Sequence, residues 1–225
     1  MSYDLGFWRQ EGVPSATGAA RVYAALVEGD IGVVPSSDGP LSAFYGEVVE
    51  RYPDLTPETV DESPWSAPVW RTGEGVICSF AHSRHTEVSG FLLDLASRHG
   101  LVGFDPQSRR AHFTVGDGTA VLESADGSVI TGPQEEHIVR AVEGLSPQDW
   151  YVVLETTPGR YVQAGLGLDA GVPEGVFAVE VRDGSDGSHV RTLVEDASVV
   201  LAAFQGFAAG ERGWRTGLDF TPVRY

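Results

Sequence analysis

Three turn sequences in the second half of the chain, ADG (125–127), TPG (157–159) and DGSDGS (183–188), each stand between two short runs of alternating polarity. The flanking runs are 119–123 with 128–131, WYVVLET (150–156) with RYVQAGLGL (160–168), and VFAVEVR (176–182) with HVRTLVE (189–195). Alternation gives a strand one apolar and one polar face, and a tight Asp-Gly-type turn returns the chain antiparallel to itself. Three hairpins in succession therefore predict a mainly antiparallel sheet. PQEEHIVRAVEG (133–144) reads as a helix, with Pro133 suited to its first turn and Glu135 and Glu136 near its positive end. Ser146 to Asp149 reads as a capped single turn.

The half closes on VVLAAFQGFAAGERGWRTGLDF (199–220). Val200, Ala203, Phe204 and Phe207 recur at helical spacing and share one face. Gly210 suits the left-handed backbone of a helix terminus. A strand-like run from Trp214 through Leu218 to Phe220 should follow. Trp214 then has two readings: a core residue packed on Phe204 and Phe207, or part of a contact surface. Glu211 and Arg212 are the exposed pair on the turn.

The first half reads differently. Tyr3, Leu5 and Phe7 alternate as a half-buried strand, and 16–28 forms a short helix. Leu41, Phe44, Tyr45, Val48, Val49 and Tyr52 lie on one face of a second helix, which Pro53 ends. Residues 54–70 form a loop with four carboxylates and two tryptophans, Trp65 and Trp70. Those rings would serve a small satellite core or a contact surface. GVICSFA (75–81) is a buried strand. Val88, Phe91, Leu92, Leu95 and His99 mark a third helix ended by Gly100, and LVGF (101–104) a further strand. This order predicts helices packed on one face of a small sheet. The fold class is α+β in two small halves, 1–115 and 116–225.

The 225 residues suffice for two domains of about 110. No apolar run approaches the roughly 20 residues of a membrane span, and MSYDLGFWRQEG lacks the basic start of a signal peptide. The expected location is the cytoplasm. All 15 basic residues are arginine, which suggests a GC-rich coding sequence of the actinobacterial kind. The net charge of −17 argues against binding nucleic acid directly and favours basic partners, or serves solubility alone.

Chemistry finds little support in the sequence. His82 and His85, at a strand-to-helix junction, are the best metal candidates, but nothing nearby supplies a third ligand. An enzyme built on that pair, or a non-catalytic scaffold, is the alternative to a binding protein. Cys78 sits in an apolar strand, where a thiol behaves as a small hydrophobe. Glu155 and Glu180, expected on adjacent strands, could form an acid–base pair or a solvated outer face. There is no Gly-x-Ser-x-Gly elbow, and without lysine no phosphate loop ending in Gly-Lys. The expectation is a non-enzyme without cofactor.

YVQAGLG (161–167), FAVEVRDGSDGSHV (177–190) and LAAFQGFAAGERGW (201–214) resemble the immunity proteins of bacterial polymorphic toxin systems, in the family found beside deaminase toxins. In the first half, the SPWS loop (63–66) and HGLVGFDPQ (99–107) resemble actinobacterial proteins, a likeness that carries no activity. The immunity resemblance implies inhibition by binding: the chain would occlude the active site of a cognate toxin, a nucleic-acid deaminase. With one cysteine it lacks the Cys-x-x-Cys signature of the deaminase itself. Residues 135–196 hold twelve carboxylates against four arginines, a net −8 suited to a cationic groove. The contacts so implied are Asp169 and Glu174 in one loop, Asp183 and Asp186 in the DGSDGS turn, and Glu211 with Trp214. That turn reads equally as a solvent-exposed hairpin.

Overall fold

Leu5, Phe7 and Trp8 are all fully buried, so the first strand is covered on both faces rather than one. The computed structural model describes residues 2–30, 32–183 and 188–223. It divides into two compact units, Met1–Thr114 and Val115–Tyr225.

In unit 1, β1 (Ser2–Trp8) runs antiparallel to β3 (Gly75–Ala81) on one side and β4 (Val102–Asp105) on the other. Two strands that the sequence reading lacked complete this sheet: β2 (Trp70–Arg71) beside β3, and β5 (Arg110–Thr114) beside β4. Three helices, α1 (Ala16–Glu28), α2 (Asp38–Arg51) and α3 (His85–Arg98), pack on it. Phe44 of α2 meets Phe7 at 4.8 Å between ring centroids, and Leu93 of α3 lies over Gly103 on the same face.

The expected one-sided arrangement is corrected by α1, which covers the opposite face. Tyr23 packs 5.6 Å from Phe104 there, and Leu26 lies over Gly75. A Cβ on Gly6 would stand 2.5 Å from the Tyr23 ring, so glycine at that position is what admits the helix. The two tryptophans of the 54–70 loop part company. Trp65 is buried and donates its indole N–H to the Tyr52 carbonyl at 3.1 Å, whereas Trp70 is 36% exposed.

Unit 2 is a meander. β6 (Val121–Ser124) pairs with β7 (Ser128–Thr131) and with β8 (Tyr151–Thr157). Outward from β8 come β9 (Arg160–Leu166), β10 (Phe177–Arg182), β11 (His189–Val194) and the two-residue β12 (Thr221–Pro222), all antiparallel. The helices are α4 (Glu135–Glu143) and α5 (Ala197–Ala208). α5 crosses β8 to β11 and buries Val152, Leu154, Val162, Val179 and Val181 under Val200, Ala203, Phe204 and Phe207. The α+β class and the antiparallel strand pairing of the three hairpins stand as the sequence predicts, while residues 184–187 of the third turn lie outside the described residues.

Two local readings change, and a third stands. Helix α4 begins after Gln134, whose N–H donates to His137 Nδ1, so Pro133 precedes the cap instead of opening the helix. Ser146–Asp149 is the capped turn that the sequence predicts, with the Asp149 N–H donated to Ser146 Oγ. The strand expected from Trp214 is a 3-10 turn, Gly213–Arg215, and only Thr221–Pro222 pairs with the sheet.

Candidate functional site

Of the six sequence-predicted contact residues, the five that are described do not converge. Asp169 is exposed in the 3-10 turn Leu168–Ala170, and Glu174 is exposed in the loop after it. Asp183 is largely buried at its side chain and is held by Arg160 at 2.7 Å and Arg215 at 3.2 Å. Asp186 lies outside the described residues. Among the described five, Glu211 and Trp214 alone share a feature, a groove between α4 and α5.

That groove is a product of the α5 terminus. Gly210, at φ +72°, donates its N–H to the Phe207 carbonyl, and Glu211 donates to Gly206 at 2.8 Å. These two bonds are a Schellman closure, which satisfies carbonyls the helix would otherwise leave unpaired. The chain then turns back, and the Trp214 ring settles on Gly206. A Cβ on Gly206 would stand 2.4 Å from Trp214 Cδ1. The Trp214 indole N–H donates to the Glu211 carbonyl at 3.0 Å. The groove so formed encloses about 720 Å³. Buried Ile138 and Gly206 form its floor, Trp214 a wall, and exposed Glu135 and Glu211 its edge. Gln205 donates to Glu135 at 2.8 Å, tying α5 to α4, and Glu136 and Glu143 are exposed further along α4. Gly206, the one glycine inside the apolar pattern of α5, was the sequence signal for this ring seat.

A second concavity, of about 410 Å³, lies on the sheet face opposite α5. At its centre the Glu180 carboxylate accepts from Gln163 Nε2 at 2.8 Å and stands 2.9 Å from His189 Nε2 and 3.3 Å from Arg191 Nε. Arg191 Nη2 also donates to the Ala170 carbonyl at 2.6 Å, which ties the Leu168–Ala170 turn to the sheet. Gly165 makes room for that turn, since a Cβ there would stand 2.7 Å from the Ala170 methyl. Trp150 and Tyr151 form an aromatic corner, with centroids 4.9 Å apart and planes at 65°. The Tyr151 hydroxyl donates to Glu123 Oε1 at 3.1 Å. Of this set the sequence reading picked out only Asp169 and Glu180. Its signal was available in the alternation within each strand, which gives Tyr151, Gln163, Glu180 and Arg191 positions that the register places on one face.

The candidates for chemistry disperse. Glu155 and Glu180 are not on adjacent strands: β9 runs between theirs, and Glu155 accepts from the Gly159 N–H instead. His85 spends Nδ1 on the His82 carbonyl at 3.0 Å and Nε2 on Thr86 Oγ1 at 3.3 Å, and its ring stacks on Tyr3. Among the described residues no three His, Cys, Asp or Glu side chains are placed to share a metal ion. Cys78 is fully buried, and that burial pushes its thiol far above the usual range. Tyr3 is pushed up to about 12, first by burial and then by its bond to the Asp105 carboxylate.

Among the described residues no helix is long and apolar enough to cross a membrane. Comparison of the chain with protein-family models, with curated proteins and with solved structures returns no match.

Proposed function

We propose that this protein works by binding: it acts in the cytoplasm as an immunity protein and occludes the active site of a basic toxin domain, a nucleic-acid deaminase. The α4–α5 groove is the docking site in this reading. The observation that carries it is the placement of Glu211 and Trp214, two residues the immunity resemblance implies as contacts, on one groove with Glu135. An apolar floor edged by carboxylates complements an amphipathic segment rich in arginine or lysine. Such complementarity accelerates encounter and rejects acidic competitors more than it adds affinity. Three of the arginines of unit 2, Arg160, Arg191 and Arg215, are engaged with Asp183 and Glu180, whereas Arg140, Arg182 and Arg212 are exposed. The charge of the first three is therefore spent inside the unit, while Glu135, Glu136, Glu143 and Glu211 remain exposed.

The test is capture of the tagged chain's partner at low and high salt, followed by association kinetics with that partner. A single basic toxin domain should be retained, with an association rate that falls as salt rises. Glu135→Arg with Glu211→Arg should slow association at least about tenfold. Unchanged kinetics in that double variant would remove the groove from the interface. Absence of any basic partner while the toxin is expressed would end the reading itself.

A further inference from the structure

We infer that the open edge of β11 is a strand-addition site for an extended, cationic polypeptide segment. Strand β10 pairs with β11 over its whole length, from Phe177↔Val194 to Arg182↔His189. On the other side β12 reaches only Val190 and Arg191. Successive residues of a strand turn their backbone groups to alternate sides. The Val223 N–H donates to the His189 carbonyl at 2.9 Å, and the Thr221 hydroxyl to the Arg191 carbonyl at 3.3 Å. His189, Arg191 and Leu193 therefore turn their backbone groups away from β10. Among the described residues nothing pairs with the N–H or the carbonyl of Leu193 on that side, and its side chain is 54% exposed. A free donor and acceptor beside an exposed leucine is a template for another strand.

The edge opens into a cleft of about 540 Å³ that shares no lining residue with the α4–α5 groove and does not rest on the immunity reading. Thr192 and Leu193 of β11 line it, with Val172 and Pro173, and with Leu218 and Asp219 of the run that approaches β12 without pairing. Its apolar side chains suit an apolar residue of the added strand, and charge decides what flanks that residue. Asp219, Glu174 beside Pro173 and Glu195 beside Val194 are exposed and make no ion pair among the described residues. Arg191, the cation of the lining, stands 3.3 Å from Glu180 and donates to the Ala170 carbonyl. The rim therefore favours a strand that carries arginine or lysine. A second copy would bring the same carboxylates to the edge, so like charge opposes self-pairing.

The probe is a capped peptide, Arg-Val-Arg-Val-Arg, titrated into the isotopically labelled full chain. The Leu193 amide should exchange rapidly in the free protein, then shift saturably and become protected as peptide is added. The same peptide with every backbone nitrogen methylated should not bind, because it keeps the charge and loses the donors. Capped Glu-Val-Glu-Val-Glu should not bind either. Leu193→Pro removes the outward N–H without touching a bond to β10, and it should abolish binding. Glu174→Arg with Asp219→Arg, both at exposed positions, should weaken binding at least about tenfold. Equal binding of the methylated peptide would reduce the site to its charge and overturn the inference. So would a Leu193 amide protected in the free protein, which would show the chain's own run 218–220 closing the edge. A dimer that Leu193→Pro dissolves would make a second copy the occupant and overturn it as well, as would the absence of any saturable shift. Glu135→Arg with Glu211→Arg should leave peptide binding unchanged, so failure of the groove reading and failure here are separable.

Discussion

Arg160 Nε lies 2.7 Å from one carboxylate oxygen of Asp183, and Arg215 Nη2 reaches the other oxygen at 3.2 Å. One carboxylate thus joins β9, the end of β10 and the turn that carries Trp214. The Arg160 guanidinium also lies 4.3 Å over the Phe207 ring, so the bridge is anchored in the α5 core. Asp183 is accordingly a fold component. Asp183→Ala should destabilise the protein by about 1–2 kcal/mol, less than a fully buried pair because both arginines are about one-third exposed. Urea unfolding measures this directly. No loss of stability would mean the bridge contributes nothing, and it would return Asp183 to the list of candidate contacts.

Gly206 and Trp214 make a second dependence. Alanine in place of a helical glycine ordinarily gains about 1 kcal/mol. Here the new methyl would occupy the Trp214 seat, with Cβ 2.4 Å from Cδ1. Overpacking of this kind costs about 1–3 kcal/mol, so Gly206→Ala should be destabilising on balance. Displacement of the ring should also red-shift the part of the tryptophan emission that Trp214→Phe removes. A stabilised variant with unshifted emission would show that the ring does not rest on the helix.

The elements were legible where a period and a terminator coincided. Helix α1 ends at Gly29, in the left-handed region, and the TPG hairpin turns at Gly159. Strand β2 was hidden because two residues carry no period; β5 was legible, since RAHFT alternates with Ala111 and Phe113 buried and follows the turn at 106–109. The two-sided cover of β1 was missed because alternation predicts a solvated face, whereas Gly6 and Gly75 accept a helix there without adding apolar residues. Glu211 and Trp214 could be named from sequence, but their partner in the groove, Glu135, is remote along the chain. Proximity of that kind comes from tertiary packing alone.

Tyr3 sets an alkaline limit on unit 1. Burial and the Asp105 carboxylate hold its phenol up to about 12, and Tyr23 is likewise pushed up to about 12 by burial, with Asp4 and Asp105 adding to it. In the unfolded chain both ionise near pH 10. Above that pH the unfolded state has released protons that the native state retains, so stability falls as pH rises from 10 towards 12. The phenolate absorbance of these two residues should appear together with unfolding. Tyr3→Phe should flatten the slope, and a phenolate signal from Tyr3 at pH 10 in folded protein would contradict the assignment.

Cys78 supplies a probe of the same unit. It lies fully buried between Leu5 on β1 and the face covered by α2 and α3, and burial raises its thiol pKa. The thiolate is the reacting form, so a thiol reagent at pH 8 meets neither an accessible nor an ionised sulfur. Labelling must wait for opening of the core. With an unfolding free energy in the usual range of about 5–15 kcal/mol, native labelling should be at least about a thousandfold slower than labelling in urea. Cys78→Ser should cost about 1–3 kcal/mol by placing a hydroxyl in an apolar site, and it should cost more than Cys78→Val. Prompt stoichiometric labelling of the native protein would show that the β1–β3 core opens locally without global unfolding.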